Sequence, residues 1–311
     1  MISKRLGPWT LSLLGVICTG ACGNYSNEDL DFQLALPDQS EIEAKMQVSV
    51  NRSDSAEYYK ATRSAVTTFN AMVFDLTGFI EGVRGNTPTS RNGDQRTWGP
   101  FADDKHLGWE IRVVMQRSTV SQSLLHMDYW VQLRQVGQDD SAWVSLLVGQ
   151  FTSQGSARMG TGEIHFNVQD ARVVGYPADT DPGLVNLDHL LVRYSNADYP
   201  ITVHMEIVNL PTAATQAGVY DYAQQQDGSG SMQFDWQGTT DTGAPITATM
   251  KSEWLGSGAG RADLTADLTP NLPNQSTTLG TDCWGVDTVA TYSHRLSPVT
   301  PDVGSAATCL F

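Results

Sequence analysis

The sequence is poor in positive charge. It contains 19 lysine and arginine residues against 34 aspartate and glutamate residues, which gives a formal net charge of −15. The basic residues form no stripe that offsets this charge. Such a chain repels nucleic acid and anionic lipid headgroups, because both carry dense negative charge. Nucleic-acid binding is therefore the first function that the sequence excludes.

Local signatures of enzymes and of cofactor sites are also missing. No serine lies in a G-x-S-x-G motif, and no Ser, His and Asp set has a recognisable spacing. The sequence contains no phosphate-binding loop, because no helical pattern follows its glycine-rich stretches. We therefore expect no cofactor and favour a protein that is not an enzyme. A hydrolase that uses a carboxylate pair stays open, since such pairs leave no local motif.

One apolar run lies at the start of the chain. It follows Lys4 and Arg5, occupies residues 11–17, and is followed by "TGAC" at 19–22. The run is shorter than the roughly 20 residues that cross a bilayer. A positive start, a short apolar centre and small residues at the end are typical of a signal peptide, which we place at residues 1–21.

The cysteine that directly follows this signal, Cys22, is the predicted lipidation site. Thr19-Gly20-Ala21-Cys22 has the form of a bacterial lipobox, in which the cysteine is lipidated and becomes the first mature residue. The first position is threonine rather than the usual leucine, so cleavage by an ordinary signal peptidase is the alternative. Residues 22–40 then form a lipidated, polar tether. No later segment is apolar enough to span a membrane, so we expect anchoring rather than embedding.

Two cysteines remain once the signal peptide and the lipidated Cys22 are set aside, namely Cys283 and Cys309. An even pair in an exported protein is most simply a disulfide. The bond would close a loop of about 25 residues and stabilise the C-terminus by roughly 3 kcal/mol in the chain-entropy model. A metal site is the alternative, but the close cysteine spacing and the histidines of zinc sites are missing.

Apolar residues repeat with two different periods. Over residues 54–84 they recur at steps of three and four, which predicts one long helix. Further along they alternate with polar residues, as in "ITVHMEIV" at 201–208, which is typical of antiparallel strands with one buried face. We predict an α+β, mainly antiparallel β fold: a meander, as a half-barrel, a barrel or a curved sheet, with the helix packed on it. A single domain over 41–311 is expected.

Two sets of residues resemble metal ligands. His126, His165 and His204 lie on polar faces of predicted strands, where sheet adjacency could gather them into a zinc-like set. Asp179 and Asp181 in "DTDPG" have the D-x-D-x-G opening of some calcium loops, although the later ligands are missing. Surface histidines and ordinary turn aspartates are the simpler interpretations. We therefore predict no metal site and keep both sets as alternatives.

Tryptophans supply the most distinctive candidate surface. Four of them cluster around the first predicted strands: Trp98, Trp109, Trp130 and Trp143. Trp130 is out of phase with the apolar face of its strand. A tryptophan on the polar face of a sheet can stack on a sugar or line a groove, or it can be covered by the helix or a loop. These four residues are the predicted binding surface.

Four stretches carry a resemblance to known proteins. They are "CGNYSNEDLDFQLALP" at 22–37, "NGDQRTWGPF" at 92–101, "GWEIRVVMQR" at 108–117, and the ending that starts with "DCWGVDTVATYSHR" at 282. Together they resemble a family of uncharacterised lipoproteins from myxobacterial-type Gram-negative bacteria, over nearly the whole mature chain. The resemblance implies export, lipidation of Cys22 and the disulfide. It implies no activity.

The sequence therefore predicts a lipid-anchored protein of the cell envelope. Gly23, rather than aspartate, follows Cys22, which favours the outer membrane. Antiparallel half-barrels with a helix across the mouth resemble carriers of envelope lipids and lipoproteins, so we expect a binding or scaffold module with an apolar groove. Its expected partners are the membrane, through the lipid, and an apolar ligand or an envelope protein. The alternative is a hydrolase of envelope or extracellular polymers that gathers carboxylates or a metal on the sheet.

Overall fold

The computed structural model describes residues 26–36, 38–46, 54–84, 86–121, 124–181, 184–213, 215–239, 244–267, 276–296 and 301–309, without the side chains at 27, 75–84, 120–121 and 276. The predicted signal peptide, the lipidation site Cys22 and Gly23 lie outside these residues. Lipidation and location therefore stay predictions.

The predicted mainly antiparallel meander is confirmed, with fifteen strands that follow one another in chain order. They are β1 (Ser90–Asn92), β2 (Gln95–Ala102), β3 (Trp109–Ser121), β4 (Leu124–Gln135), β5 (Val144–Gln154), β6 (Ser156–Asn167), β7 (Leu187–Ser195), β8 (Ile201–Asn209), β9 (Thr215–Gln224), β10 (Gly230–Thr239), β11 (Pro245–Trp254), β12 (Gly260–Asp267), β13 (Ser276–Trp284), β14 (Ala290–Arg295) and β15 (Val303–Gly304). Its curvature, as a half-barrel, a barrel or a curved sheet, stays a prediction.

Four α-helices accompany the strands in the described ranges. They are α1 (Asn27–Leu34), α2 (Gln39–Ile42), α3 (Glu57–Arg84) and α4 (Val168–Val173). In the part of the chain that the structure describes, no helix combines the length and the hydrophobicity that crossing a bilayer requires.

The contacts of the chain group into two compact units. We call the described residues of Trp9–Ile42 and Ala71–Asp198 the N-terminal unit; it carries strands β1 to β7. We call those of Glu43–Asn70 and Tyr199–Phe311 the C-terminal unit; it carries strands β8 to β15. The sequence favours a single domain over 41–311, and that boundary stays a prediction.

In the N-terminal unit, the alternation of the sequence becomes the two faces of the sheet. Met115 of β3 lies opposite Tyr129 of β4, Val113 lies opposite Val131, and all four side chains are buried. Successive side chains of a strand point to opposite faces, so the polar residues between them, such as Gln132, occupy the other face. This second face carries the candidate site.

In the C-terminal unit, the first part of α3 packs on the sheet. The sequence predicts a helix over 54–84, and α3 occupies Glu57–Arg84. Phe69 is fully buried against Tyr220 and Tyr222, with ring centroids 5.8 and 6.3 Å away. Burying a phenylalanine side chain contributes roughly 1.5–3 kcal/mol, so these contacts stabilise the helix on the sheet.

The same unit contains the predicted disulfide, and the pairing of Cys283 with Cys309 is confirmed. Their Cα atoms lie 5.6 Å apart, which is within the range that a disulfide spans. Cys283 is buried on β13, and Cys309 follows β15. The bond therefore ties the last described residues to the sheet.

The first helix, α1, lies against the β1–β2 hairpin of the N-terminal unit. Ser26 and Asp29 exchange hydrogen bonds in a capping box, which satisfies free amides at the start of the helix. The Asp29 carboxylate is fully buried and accepts hydrogen bonds from Arg91 and Arg96 at 2.8 to 3.2 Å. The sequence assigns this segment to a tether, whereas the structure places it in the folded unit.

The strands of the N-terminal unit have two ends, which we call the tether end and the far end. The tether end carries the β1–β2 turn at Gly93–Asp94. There Arg96, which also contacts Asp29 of α1, donates a hydrogen bond to the Gly93 carbonyl. The far end carries the connections 103–108, 136–143 and 168–186. Because a strand rises about 3.3 Å per residue, the 12 residues of β6 separate the two ends by roughly 35 Å.

Candidate functional site

A groove of about 590 Å³ opens at the far end of the N-terminal unit. Its lining comes from the start of β5, the end of β6, α4 and the start of β7. The chain turns from strand into α4 because Asn167 caps the helix by accepting a hydrogen bond from the Asp170 amide. This cap fixes the helix beside the strand ends and shapes one wall of the groove.

The strand register brings polar side chains together across this face. Ser145 of β5 lies opposite Gln132 of β4, and Asn167 of β6 lies opposite His189 of β7. Gln132 donates to Ser145 Oγ at 3.4 Å and accepts from Arg112 Nε at 2.9 Å. Residues that are distant in sequence thus meet as a polar row, because neighbouring strands lie about 4.8 Å apart.

Two carboxylates line the groove, and each has one neighbouring partner. Asp170 accepts a hydrogen bond from Asn167 Nδ2 at 2.7 Å, and Asp188 Oδ1 lies 3.3 Å from His189 Nδ1. Among its described lining residues the groove has no lysine or arginine. Two carboxylates in the lining disfavour phosphate and carboxylate ligands.

His165 lies on the rim of the groove and belongs to a small ionic network. Its Nε2 is 2.8 Å from Glu163 Oε1, and Arg193 Nε donates to the other oxygen of Glu163 at 2.6 Å. The hydrogen bond from Arg193 holds the pKa of Glu163 below its usual range, against a smaller effect of burial, and His165 adds to the lowering. Glu163 therefore stays a carboxylate and fixes one edge of the imidazole.

The apolar part of the lining is small. Leu146, Phe166 and Leu190 each expose 4 % or less of their surface, so they support the groove from below. Val148 is 41 % exposed. The sequence predicts an apolar groove, whereas the described groove mixes polar rims with a narrow apolar strip. Its chemistry suits a ligand that is rich in hydrogen-bonding groups.

Trp98 and Trp109 are buried, which corrects the expectation of an exposed surface at these two residues. Trp98 Nε1 donates to the Asn86 carbonyl at 2.9 Å, and Trp109 packs edge-on against Tyr176 with ring centroids 5.3 Å apart. Distant segments of the chain provide both contacts. The period of a single strand carries no information about such covering segments.

Trp130 and Trp143 are partly exposed. The ring of Trp143 contacts the guanidinium groups of Arg112 and Arg134, each 4.3 Å from the ring centroid. Trp130 lies opposite Val148 in the strand register, so its ring shares the groove's face of the sheet. Of the four predicted tryptophans, Trp130 is the one that the register places beside the groove.

In the described part of the chain, the three candidate histidines form no metal-binding group. His126 lies on β4 and His165 on β6, with β5 between them, and His204 belongs to the C-terminal unit. His204 is held between Asp221 at 2.6 Å and Glu206 at 2.8 Å. Burial lowers the pKa of His204, but the two carboxylates outweigh it and raise the pKa above the ordinary histidine value. A raised pKa favours the protonated imidazole, which pairs with carboxylates and does not bind a metal.

The two candidate aspartates of the "DTDPG" stretch have different surroundings. Asp179 is exposed and accepts a hydrogen bond from Arg172 Nε at 2.9 Å, whereas Asp181 is buried. Within the described ranges, no group of three or more His, Cys, Asp and Glu side chains is placed to hold a metal ion.

A buried polar cluster at the far end escaped the sequence analysis. Tyr176 Oη donates to Asp103 Oδ2 at 2.9 Å, and His106 Nδ1 lies 2.9 Å from the same oxygen. Burial and the charge of Asp103 raise the pKa of Tyr176, so the phenol stays protonated and can donate. The cluster joins the connections 103–108 and 168–186, which holds the groove's surroundings in place. Only the short Asp103–His106 spacing was visible in the sequence.

Comparisons with protein-family models, with curated proteins and with solved structures find no significant match to this chain. The resemblance to a family of bacterial lipoproteins therefore stays a prediction, and the groove is interpreted from its own geometry.

Proposed function

We propose that this chain is a lipid-anchored cell-envelope protein that acts as a binding module, and that the groove of the N-terminal unit is its binding site. One observation carries the proposal: the groove lies at the far end of the strands, whereas α1, through which the chain leads back to Cys22, is held at the tether end. A lipid on Cys22 would then leave the groove open to the envelope space.

The tether in this proposal is short. Ser26 caps α1, so four residues, 22–25, connect the lipidated cysteine to the folded unit. Fully extended, they span about 14 Å. Acyl chains add roughly 0.8 kcal/mol per buried methylene, which is ample to hold a chain to the outer membrane.

A hydrolase of envelope polymers is the second candidate. The observation that favours it is the presence of two carboxylates, Asp170 and Asp188, on one groove. A hydrolase needs an acid and a base or nucleophile in such a position. The sequence favours a carrier of apolar ligands. The groove supports that function less well, because its apolar strip is narrow.

Lipidation is tested by labelling cells with radioactive palmitate. We expect the mature protein to carry the label and to partition into detergent. Cys22→Ser should abolish both properties, whereas Cys18→Ser, the matched control, should retain them. A soluble, unlabelled wild-type product would contradict the anchoring part of the proposal.

The groove is tested by a photo-crosslinking amino acid placed at Gln169, an exposed residue of α4 on the groove, in cells that make the full chain. We expect an adduct with an envelope component at this position. The same substitution at Gln226, which is also an exposed glutamine but lies in the C-terminal unit, is the control and should give none. Adducts at both positions, or at neither, would contradict a binding site in the groove.

A further inference from the structure

We infer that the groove binds a neutral glycan chain. This inference rests on the proposed function, because it names the ligand class of the same groove. It is carried by the hydrogen-bonding groups of the lining, by their charge, by the small apolar area and by a partly exposed tryptophan on the same face.

The lining offers both donors and acceptors in a small volume. Ser145, Asn167 and Gln169 supply groups that donate and accept. The carboxylates of Asp170 and Asp188 accept only, and each has two oxygens with several lone pairs. A sugar ring carries adjacent hydroxyl groups that both donate and accept, so it can satisfy this mixture better than a ligand of a single polarity.

The charge of the groove favours a neutral glycan over an anionic polymer as the ligand. The described lining of the groove contains two carboxylates and neither lysine nor arginine. Arg172 of α4 is bound to the Asp179 carboxylate and to the carbonyls of Leu184 and Leu187. The whole chain is also acidic, with a formal net charge of −15. Polyphosphates, nucleic acids and acidic polysaccharides would therefore be repelled both at the site and on approach.

The small apolar area of the groove favours a glycan over an acyl chain as the ligand. Leu146, Phe166 and Leu190 are buried, and only Val148 of the lining's aliphatic side chains is substantially exposed. An acyl chain needs a continuous apolar surface, because its affinity grows with the apolar area removed from water. The described groove offers such surface at one residue.

Trp130 adds an aromatic surface next to the polar groups. It lies opposite Val148, which lies opposite His165, so one row of the sheet leads from the indole to the rim of the groove. The indole is partly exposed. An aromatic face suits the apolar face of a sugar ring, whose hydroxyl groups point outward to the polar residues. An extended chain is the ligand that can reach both places.

The test is isothermal titration calorimetry on the detergent-solubilised mature protein. The probes are chitopentaose and cellopentaose, as neutral glycans, with linear polyphosphate and a detergent-soluble palmitate analogue as the other classes. We expect at least one pentasaccharide to bind, and neither polyphosphate nor palmitate to compete with it.

Three variants locate the binding, and two of them form a matched pair. Asp188 and Asp128 are both strand carboxylates beside a histidine, but only Asp188 lines the groove. Asp188→Ala should weaken pentasaccharide binding at least ten-fold, and so should Trp130→Ala, whereas Asp128→Ala should leave it within two-fold. Circular dichroism melting of each variant confirms that it is folded.

The outcomes separate this inference from the proposed function. Binding of palmitate or polyphosphate that Asp188→Ala weakens would overturn the glycan inference and leave the groove as a binding site. The glycan inference would also be overturned, and the groove would stay a binding site, if no pentasaccharide binds while the Gln169 crosslink forms. Shortening of a bound pentasaccharide by the wild type, lost in Asp188→Ala, would retain the glycan ligand and identify the protein as a hydrolase.

Discussion

At the scale of single residues, Asp29 is a buried and tightly held charge of the N-terminal unit. Its carboxylate is fully buried, and Arg96, which donates to it, is buried as well. Burial by itself would raise the pKa of Asp29, but the hydrogen bonds from Arg91 and Arg96 outweigh that effect and hold the pKa well below its usual range. The charged form of Asp29 is therefore the one that fits the fold.

Asp29→Asn should lower the free energy of unfolding by roughly 3 kcal/mol, because it removes the buried charged partner of Arg96 and leaves that buried guanidinium with the exposed carboxylate of Glu28. Urea denaturation at neutral pH measures the loss. Asp94→Asn is the control: this carboxylate is exposed and pairs with Arg117, so its removal should cost less than about 1 kcal/mol. Equal losses in the two variants would contradict the account of α1.

The same carboxylate predicts a pH dependence. A carboxyl group whose pKa is depressed by folding stabilises the folded state above its unfolded pKa, and this contribution is lost as the pH falls toward the folded pKa. The ordinary aspartate value is 3.8. The stability difference between wild type and Asp29→Asn should therefore be full at neutral pH and shrink below about pH 4. A stability difference between the two proteins that grows as the pH falls would contradict this prediction.

At the scale of elements, the sequence predicted the type of each long segment better than its surroundings. The steps of three and four over 54–84 and the alternation in β4 and β8 depend only on which residues face a core, so they are readable along the chain. What covers Trp98 and Trp109 depends on Asn86 and Tyr176, which the period of a strand does not encode. The short helix α1 was missed because its capping box lies in a stretch that reads as polar.

The disulfide is the element-scale feature that the sequence predicted by residue. Reduction should lower the free energy of unfolding of the C-terminal unit by about 3 kcal/mol, because an open chain of this length gains conformational entropy when it unfolds. Denaturation curves with and without reductant measure the effect. Cys309→Ser should match the reduced wild type and should not respond to reductant. Identical curves for oxidised and reduced wild type would contradict a stabilising bond.

At the scale of the whole molecule, the candidate site is a product of topology rather than of motif. Ser145, Asn167, Asp170 and Asp188 come from four elements, and no local signature links them. They meet because the connections 136–143 and 168–186 lie at one end of the same antiparallel strands. From the sequence, strand register was unknown, so the polar faces were predictable but not the groove that they form. The lipid anchor, in contrast, depends on a local motif and needs no fold to be proposed.

The central claim is that the lipid holds the tether end near the membrane and presents the groove away from it. Fluorescence energy transfer to acceptors on a bilayer surface measures this directly, with the lipidated protein in vesicles and one dye at Asn92→Cys or at Gln169→Cys. Both positions are exposed, at the tether end and on the groove respectively. We predict that the dye at 169 lies about 30 Å farther from the bilayer than the dye at 92, because the length of the strands separates the two ends by a distance of that order. Equal distances, or a dye at 169 nearer to the bilayer, would contradict the account.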